Sequence, residues 1–176
     1  MKKRIIFIVL CIFSNILFAQ NNDYISLLRD IDLYISSNFV SPFFTKDIKF
    51  LNDYYFGFGF KRDPFTNHIR FSNSGIILCN IDENIYSMDN GIIMEIGYNE
   101  SGRFVLVKYN EIEVYYYGIE PININIGDSI EKKQIIGKIA PPYRSYGPAI
   151  ILKIKYKDCY FDPYFLLYYI VLYRDL

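Results

Sequence analysis

Histidine, cysteine and tryptophan are scarce in this chain of 176 residues, which contains one histidine, three cysteines and no tryptophan. Zinc sites in proteins draw mainly on histidine and cysteine, and they use them in close pairs such as CxxC or HxxxH. The sequence contains neither pair. A zinc site built from His68, Cys79 and Cys159 is therefore not expected.

His68 has no evident chemical partner in the sequence. A lone histidine binds metal weakly, and a general base needs a nucleophile and an orienting carboxylate, neither of which can be identified here. The preferred interpretation is a surface or hydrogen-bonded histidine without a catalytic role.

An apolar run long enough to span a membrane is also missing. Residues 5–17 are mostly apolar, but they fall short of the roughly 20 residues that a spanning helix needs. Basic residues at 2–4 precede the run, and Ala19 provides a small residue before an expected cut. This pattern predicts a signal peptide over 1–19, and hence a secreted or periplasmic protein with no transmembrane span after cleavage. The alternative is an uncleaved anchor.

Neither sign of charge is in excess, since 19 basic residues balance 19 acidic ones. Loss of the signal peptide would leave 16 basic residues against 19 acidic ones. A nucleic-acid partner requires a basic face, so none is expected. The 18 tyrosines and 15 phenylalanines suit a sheet-rich protein, because aromatic side chains pack well on pleated surfaces.

Two cysteines remain after removal of the signal peptide, Cys79 and Cys159. In an oxidising compartment they could form a disulfide. The alternative is two separate thiols that pack as small hydrophobic groups. The sequence does not decide between these, because the distance between the residues is not known from it.

The mature chain divides into a helical lead and connector over 20–53, a β domain over 54–167 and an apolar tail over 168–176. Apolar residues at three- and four-residue spacing predict an amphipathic helix over 23–35 that packs on the domain, with a partner-binding helix as the alternative. The tail is too short to span a bilayer and is expected to cover a sheet edge rather than to form an interface.

Within the β domain, short β-prone runs are separated by glycine, asparagine, aspartate and proline. The clearest runs are residues 92–96, 104–107, 112–115 and 150–156. They predict a mainly β protein, with an antiparallel sheet folded on itself as a sandwich or open barrel.

Four ordered segments of this region resemble peptidase family M23, the lysostaphin and LytM-like peptidoglycan endopeptidases. They are the FGFK and DPFT stretch at 58–66, IYSMDNGII at 85–93, the GDxIxxKQxIG hairpin at 127–137 and SYGP at 145–148. The hairpin alone also suits lipoyl and biotinyl carriers, but no lysine has the exposed setting that those carriers modify. The resemblance therefore implies an M23-type fold.

This resemblance also implies where the family's chemistry would lie. The family binds zinc through the His and Asp of an HxGxD motif and the second His of HxH, and its YxH and HxH motifs carry the catalytic histidines. The corresponding metal positions here are Asn73, Ile77 and Ile151, and the catalytic positions are Gly118 and Ala149. In a second alignment Ser72 takes the histidine place. Since every position is substituted, the resemblance implies neither zinc nor enzyme activity, with the apolar residues filling the former site.

Active relatives hold their peptide substrate across the sheet, which suggests candidate groove contacts at Tyr116, Tyr117, Tyr143, Arg144 and Ser145. Aromatic faces and a guanidinium suit a glycan or a peptide carboxylate, with ordinary packing as the alternative. The sequence thus predicts an inactive M23-like domain with a regulatory or scaffolding role, binding a cell-wall hydrolase, an envelope complex or peptidoglycan. The alternatives are an active endopeptidase with an unrecognised site and a passive peptidoglycan-binding module.

Overall fold

The computed structural model describes residues 38–43, 54–62, 66–100, 102–141, 147–157 and 159–173. The predicted signal peptide and the predicted helix over 23–35 lie outside these residues. Apart from Asn38, all described residues belong to one compact unit over residues 39–176.

Short and medium-length strands dominate the described part of the chain, and one helix follows them. In chain order the elements are β1 (Tyr54–Phe56), β2 (Gly59–Arg62), β3 (Ile69–Ser72), β4 (Gly75–Leu78), β5 (Asn84–Tyr86), β6 (Gly91–Asn99), β7 (Gly102–Tyr109), β8 (Ile112–Tyr117), β9 (Ile119–Pro121), β10 (Ser129–Ile130), β11 (Ile135–Ile139), β12 (Ala149–Tyr156), β13 (Cys159–Phe161) and α1 (Pro163–Tyr173).

The strands form one large sheet and two small ones. The large sheet has the order β1-β4-β12-β8-β7-β6-β10, with β13 paired to β12. The small sheets have the orders β5-β11-β9 and β2-β3. Every pairing between the described strands is antiparallel. The mainly β, antiparallel fold class predicted from the sequence is confirmed.

Two of the segments that carry the family resemblance bond directly to each other. The turn after β5 contacts the 127–137 hairpin through Ser87, whose N–H donates to the Gln134 carbonyl at 2.8 Å and whose carbonyl accepts from Lys133 N–H at 3.0 Å. Farther along, Gly127 N–H donates to the Ile93 carbonyl at 2.8 Å. Gly127 has φ 91°, a left-handed conformation that glycine adopts without strain. Turn-forming residues recognised in the sequence thus make the backbone hydrogen bonds that join the two segments.

The inner face of the large sheet carries the main core. The cross-strand row Ile93, Val107, Val114 and Ile154 runs from β6 to β12 and is buried throughout. Residues opposite one another on neighbouring strands point to the same face, so this row fixes which side of each strand is internal.

A buried hydroxyl network ties β7 and β8 to the turn after β5. The Tyr109 hydroxyl lies 2.8 Å from the Tyr116 hydroxyl and 3.1 Å from Ser87 Oγ, and it accepts the Met88 N–H at 3.2 Å. Burial raises the pKa of Tyr109 to about 12, and burial likewise raises the pKa of Tyr116 well above its usual value. Both rings therefore stay neutral and remain able to donate.

Replacing Tyr109 by phenylalanine is expected to lower the free energy of unfolding by about 1–3 kcal/mol, because Met88, Ser87 and Tyr116 would keep buried polar groups without this partner. Urea unfolding followed by circular dichroism measures the effect. Tyr160→Phe is the control, since the Tyr160 hydroxyl makes no hydrogen bond within the described residues and only its ring is engaged. Equal losses in the two variants would contradict a structural role for the network.

Helix α1 starts immediately after β13. Asp162 caps it, because its Oδ1 accepts the Tyr164 N–H at 2.9 Å. Leu166, Leu167 and Ile170 are buried, and the helix contacts β12. It therefore runs across the boundary predicted between residues 167 and 168, and it contacts an interior strand of the sheet. At 11 residues it is too short to span a bilayer, and no other helix among the described residues is long and apolar enough to do so.

The two cysteines lie near opposite ends of β12. Cys79 N–H donates to the Pro148 carbonyl at 3.0 Å, just before β12 begins, whereas Cys159 pairs with Tyr156 at its end. Eight residues separate these points, and an extended strand of that length spans roughly 26 Å. A disulfide needs Cα atoms within about 7 Å. The two cysteines form no disulfide with each other, and the alternative of two separate cysteines is the one that the fold adopts.

Candidate functional site

The other side of the large sheet, here called the outer face, carries a second apolar cluster. Ile151 on β12 is paired with Ile76 on β4 and with Tyr117 on β8, and Tyr117 is paired with Phe104 on β7. Ile151, Tyr117 and Phe104 are buried together with Leu106, and Ile76 packs against them. One of the positions that the resemblance assigned to zinc, Ile151, lies in the middle of this row.

Ile77 does not share this face. It pairs with Ile150 and is fully buried on the core side, whereas Ile76 lies beside Ile151. The prediction that Ile77 occupies the former aspartate place must therefore be corrected to Ile76. The physical reason is the two-residue period of a strand, in which a slip of one residue sends a side chain to the opposite face.

This correction also changes which residue corresponds to the histidine of the HxGxD motif. If the aspartate place of HxGxD is Ile76, the histidine place is Ser72, which was the second alignment. Ser72 ends β3, and its hydroxyl donates to the Ser74 carbonyl at 3.0 Å. Asn73 lies between β3 and β4 and is partly buried. The register thus favours Ser72 over Asn73.

Gly118, to which the resemblance assigned the place of a catalytic histidine, lies where a side chain does not fit. Its φ is 80°, and a Cβ atom there would lie 2.6 Å from the Ala149 carbonyl oxygen. Its own N–H donates to the Arg103 carbonyl at 2.8 Å, and its carbonyl accepts the Ala140 N–H at 2.9 Å. The backbone of Gly118 therefore links its own segment to those of Arg103 and Ala140. The oxygen that excludes a side chain at Gly118 belongs to Ala149, the other position that the resemblance assigned to catalysis.

The candidate groove contacts separate into three groups. Tyr116 is fully buried on the core side within the hydroxyl network, so its prediction as a groove contact is wrong. Tyr117 does lie on the outer face, although only 8% of it is exposed. The remaining three, Tyr143, Arg144 and Ser145, lie outside the described residues. Tyr116 and Tyr117 lie on opposite faces because successive residues of a strand point to opposite sides of the sheet, and only Tyr116 faces the main core.

His68 is exposed near the start of β3. Its backbone N–H lies 3.5 Å from the Thr66 hydroxyl. The surface interpretation made from the sequence agrees with this position.

A charged and aromatic group on the outer face was missed in the sequence. Lys153 of β12 places its Nζ 5.2 Å from the ring centroid of Tyr115 and 4.7 Å from that of Tyr160. Tyr115 is directly opposite Lys153 on β8, and Tyr160 comes from β13. The available signal was the alternation in 150–156, where Lys153 and Lys155 interrupt an otherwise apolar run at every second residue.

The side chains at the family's metal positions do not fit a zinc ion. Ile76 and Ile151 have no lone pairs to donate, and the Ser72 hydroxyl is already engaged with the backbone. Within the described ranges, no group of three or more histidine, cysteine, aspartate or glutamate side chains is placed to hold a metal. What the outer face does offer is apolar contact and one cation between two rings.

Several solved structures share this fold. A zinc-containing peptidase from Vibrio cholerae superposes with a TM-score of 0.58 and 17% identity, over 74% of this chain and 39% of its own. Lysostaphin from Staphylococcus simulans gives a TM-score of 0.58 and 18% identity, over 76% of this chain and 55% of its own. Csd3 from Helicobacter pylori gives 0.56 and 18%, over 72% and 33%. This chain thus spans between about a third and just over half of their lengths.

Sequence comparison assigns the family. No curated protein matches the chain. The family model described as peptidase family M23 matches residues 71–163, which is more than half of the sequence. That range begins at the end of β3 and closes at the start of α1, so it takes in both faces of the large sheet. The chain belongs to peptidase family M23.

Proposed function

We propose that this chain is a catalytically inactive M23 domain with a regulatory or scaffolding role in the cell envelope, where it binds a cell-wall hydrolase, an envelope complex or peptidoglycan. The observation that carries the proposal is the replacement of the family's metal and catalytic positions by Ile76, Ile151 and Gly118, in a backbone that leaves no room for a side chain at the last of them.

The chemistry of the family explains why these replacements matter. A metal ion accelerates amide hydrolysis by polarising the scissile carbonyl and by lowering the pKa of a bound water. Ile76 and Ile151 supply neither a ligand nor a charge. Their packing against Tyr117 instead avoids the cost of several kcal/mol that an unpaired carboxylate would carry in an apolar setting.

A secreted or periplasmic location is part of the proposal. Its support is the signal-peptide pattern over 1–19 in the sequence. A role at the cell wall is consistent with membership of family M23, because the segments of this sequence that resemble the family resemble its peptidoglycan endopeptidases.

The purified mature chain is expected to contain zinc far below one equivalent and to release no soluble fragments from peptidoglycan. Metal analysis by mass spectrometry and a wall-cleavage assay, each with and without chelator, measure these properties, with lysostaphin as the positive control. One zinc per chain together with chelator-sensitive cleavage would instead support the active endopeptidase.

A passive peptidoglycan-binding module is the second candidate. Lys153 favours this candidate. Its ammonium lies between two aromatic rings on the outer face, and a cation beside aromatic rings is more typical of a ligand-binding surface than of a hydrophobic core. This role needs no protein partner, and binding to purified wall material is its defining property.

A further inference from the structure

Among the described strands, β2 and β3 pair only with each other, and we call this two-stranded sheet the aromatic ribbon. Its register places Phe60 opposite Phe71 and Arg62 opposite Ile69. Residues two apart on a strand share one face of a sheet, and so do residues opposite each other on neighbouring strands. Phe60, Arg62, Ile69 and Phe71 therefore lie on one face of the aromatic ribbon.

The three apolar side chains of that face are exposed. Phe60 is 62% exposed, Ile69 63% and Phe71 52%. The aromatic rings contact one another, because the ring centroid of Phe71 lies 5.1 Å from that of Phe60 and 5.2 Å from that of Phe58. Exposed apolar side chains that form a contiguous patch are typical of a binding surface, whereas scattered ones are not.

The aromatic ribbon is also basic. Of the 16 basic and 19 acidic residues of the mature chain, three basic residues and one acidic residue lie within 58–71, which gives this segment a net charge of +2. The rest of the mature chain keeps 13 basic and 18 acidic residues, a net charge of −5. A positive segment in an otherwise negative chain directs that segment toward an anionic surface.

The positions of the basic residues strengthen this charge complementarity. Arg62 shares the face of the exposed rings, and its Nη1 donates to the neutral side-chain oxygen of Asn67 at 3.0 Å. At the intervening positions, the backbone register pairs Lys61 with Arg70. Like charges directly opposite each other are destabilising, so a nearby anion would stabilise this pair.

An anionic lipid surface fits these features better than a nucleic acid or a folded protein does. Phe60 and Phe71 meet edge to face, with ring planes 66° apart, and so do not form the parallel platform on which bases stack. The exposed area of the three apolar side chains is on the order of 300 Å², against roughly 800 Å² per partner in a stable protein interface. A bilayer needs no such minimum, because side chains enter its headgroup region individually.

We propose that the aromatic ribbon docks this domain on a membrane surface that contains anionic phospholipid. Phe60, Ile69 and Phe71 enter the boundary between headgroups and acyl chains, and Arg62 binds lipid phosphate. The inference goes beyond the proposed function, because docking on lipid requires neither a hydrolase nor peptidoglycan.

Cosedimentation of the purified mature chain with large unilamellar vesicles tests the proposal. Vesicles of equal parts phosphatidylglycerol and phosphatidylcholine are expected to bind the chain about tenfold more tightly than phosphatidylcholine alone, and salt at about 1 M should remove this preference. Phe60→Ser and Arg62→Glu are each expected to weaken binding to the anionic vesicles about tenfold, the first by loss of apolar contact and the second by charge reversal.

Matched substitutions elsewhere control for general changes of polarity and charge. Ile126 is 62% exposed in the turn before β10, so Ile126→Ser removes an equally exposed apolar side chain. Lys138 is an exposed residue of β11, and Lys138→Glu makes the same charge reversal outside the aromatic ribbon. Both variants should bind the anionic vesicles as the wild-type chain does.

A fluorescent reporter tests insertion without removing an apolar side chain. The chain contains no tryptophan, so Phe60→Trp introduces a single indole that can be excited selectively. Its emission is expected to shift to shorter wavelength when anionic vesicles are added, because indole rings settle at the membrane–water interface. Ile126→Trp is the control and should show no shift.

Absence of binding to the anionic vesicles, equal binding by the wild-type chain and Phe60→Ser, or an unshifted emission of Phe60→Trp would each overturn the inference. Tighter binding to a single-stranded oligonucleotide than to the vesicles would also overturn it and assign the aromatic ribbon to nucleic acid. The metal and wall-cleavage assays of the proposed function contain no lipid, so either proposal can fail while the other stands.

Discussion

Gly118→Ala is expected to lower the free energy of unfolding by about 3 kcal/mol or more, a large part of the roughly 5–15 kcal/mol that keeps a typical domain folded. Two costs combine at this position. A left-handed φ of 80° is strained for alanine, and the new Cβ would meet the Ala149 carbonyl oxygen at 2.6 Å. Because that oxygen belongs to backbone of β12, it cannot rotate away. Soluble yield and urea unfolding measure the loss.

Gly102→Ala separates the two costs. Gly102 also has a left-handed φ, 105°, but apart from its chain neighbours no described residue has an atom within 4 Å of the Cβ that it would gain. The free energy of unfolding of this control should fall only by the cost of the left-handed backbone, about 1–2 kcal/mol. If Gly118→Ala is no worse than Gly102→Ala, the close approach to Ala149 is not a real barrier, and the catalytic position would be open to a side chain.

Restoring the family's ligands at Ser72→His, Ile76→Asp and Ile151→His is expected to produce a zinc-dependent rise in melting temperature without any wall cleavage. The cross-strand pairing of residues 76 and 151 brings an aspartate and an imidazole together on the outer face. Without metal, the buried carboxylate should destabilise the triple variant by several kcal/mol. Activity stays absent because Gly118 still cannot carry a histidine.

The matched control exchanges one substitution, with Ile77→Asp in place of Ile76→Asp. Residue 77 faces the core beside Ile150, so this variant should bind no zinc and should be less stable than the first at every metal concentration. Thermal unfolding with increasing zinc, read beside metal analysis, compares the two. Zinc binding by the Ile77→Asp version alone would show that the register of β4 is misassigned, and cleavage by either would contradict the closed catalytic position.

Much of the fold was accessible from local signals in the sequence. Turn residues such as Gly127 act through their own backbone, and short β-prone runs between them correspond to β6, β7, β8 and β12. The family could be recognised for the same reason, since its segments are turns and strands whose residues need little context. Helix α1 was missed because its sequence is apolar on all sides and offers no helical period to read.

The site was less accessible, because its geometry depends on pairs of residues far apart in the chain. Whether Tyr116 or Tyr117 faces the outer side is set by which side of β8 the core covers, and the sequence of β8 alone is apolar at both positions. Lys153 and the two rings beside it, those of Tyr115 and Tyr160, likewise come from three strands. No local pattern relates them.

By itself, the sequence determined the family and the antiparallel class, and it predicted a departure from the family's histidine and aspartate pattern, because composition and turn chemistry are properties of single residues and their neighbours. Only the tertiary structure decided that Ile76 rather than Ile77 lies beside Ile151, and that Gly118 is closed by Ala149. The physical reason is that a strand presents alternate residues to opposite faces, so a register between distant strands determines which side chains meet.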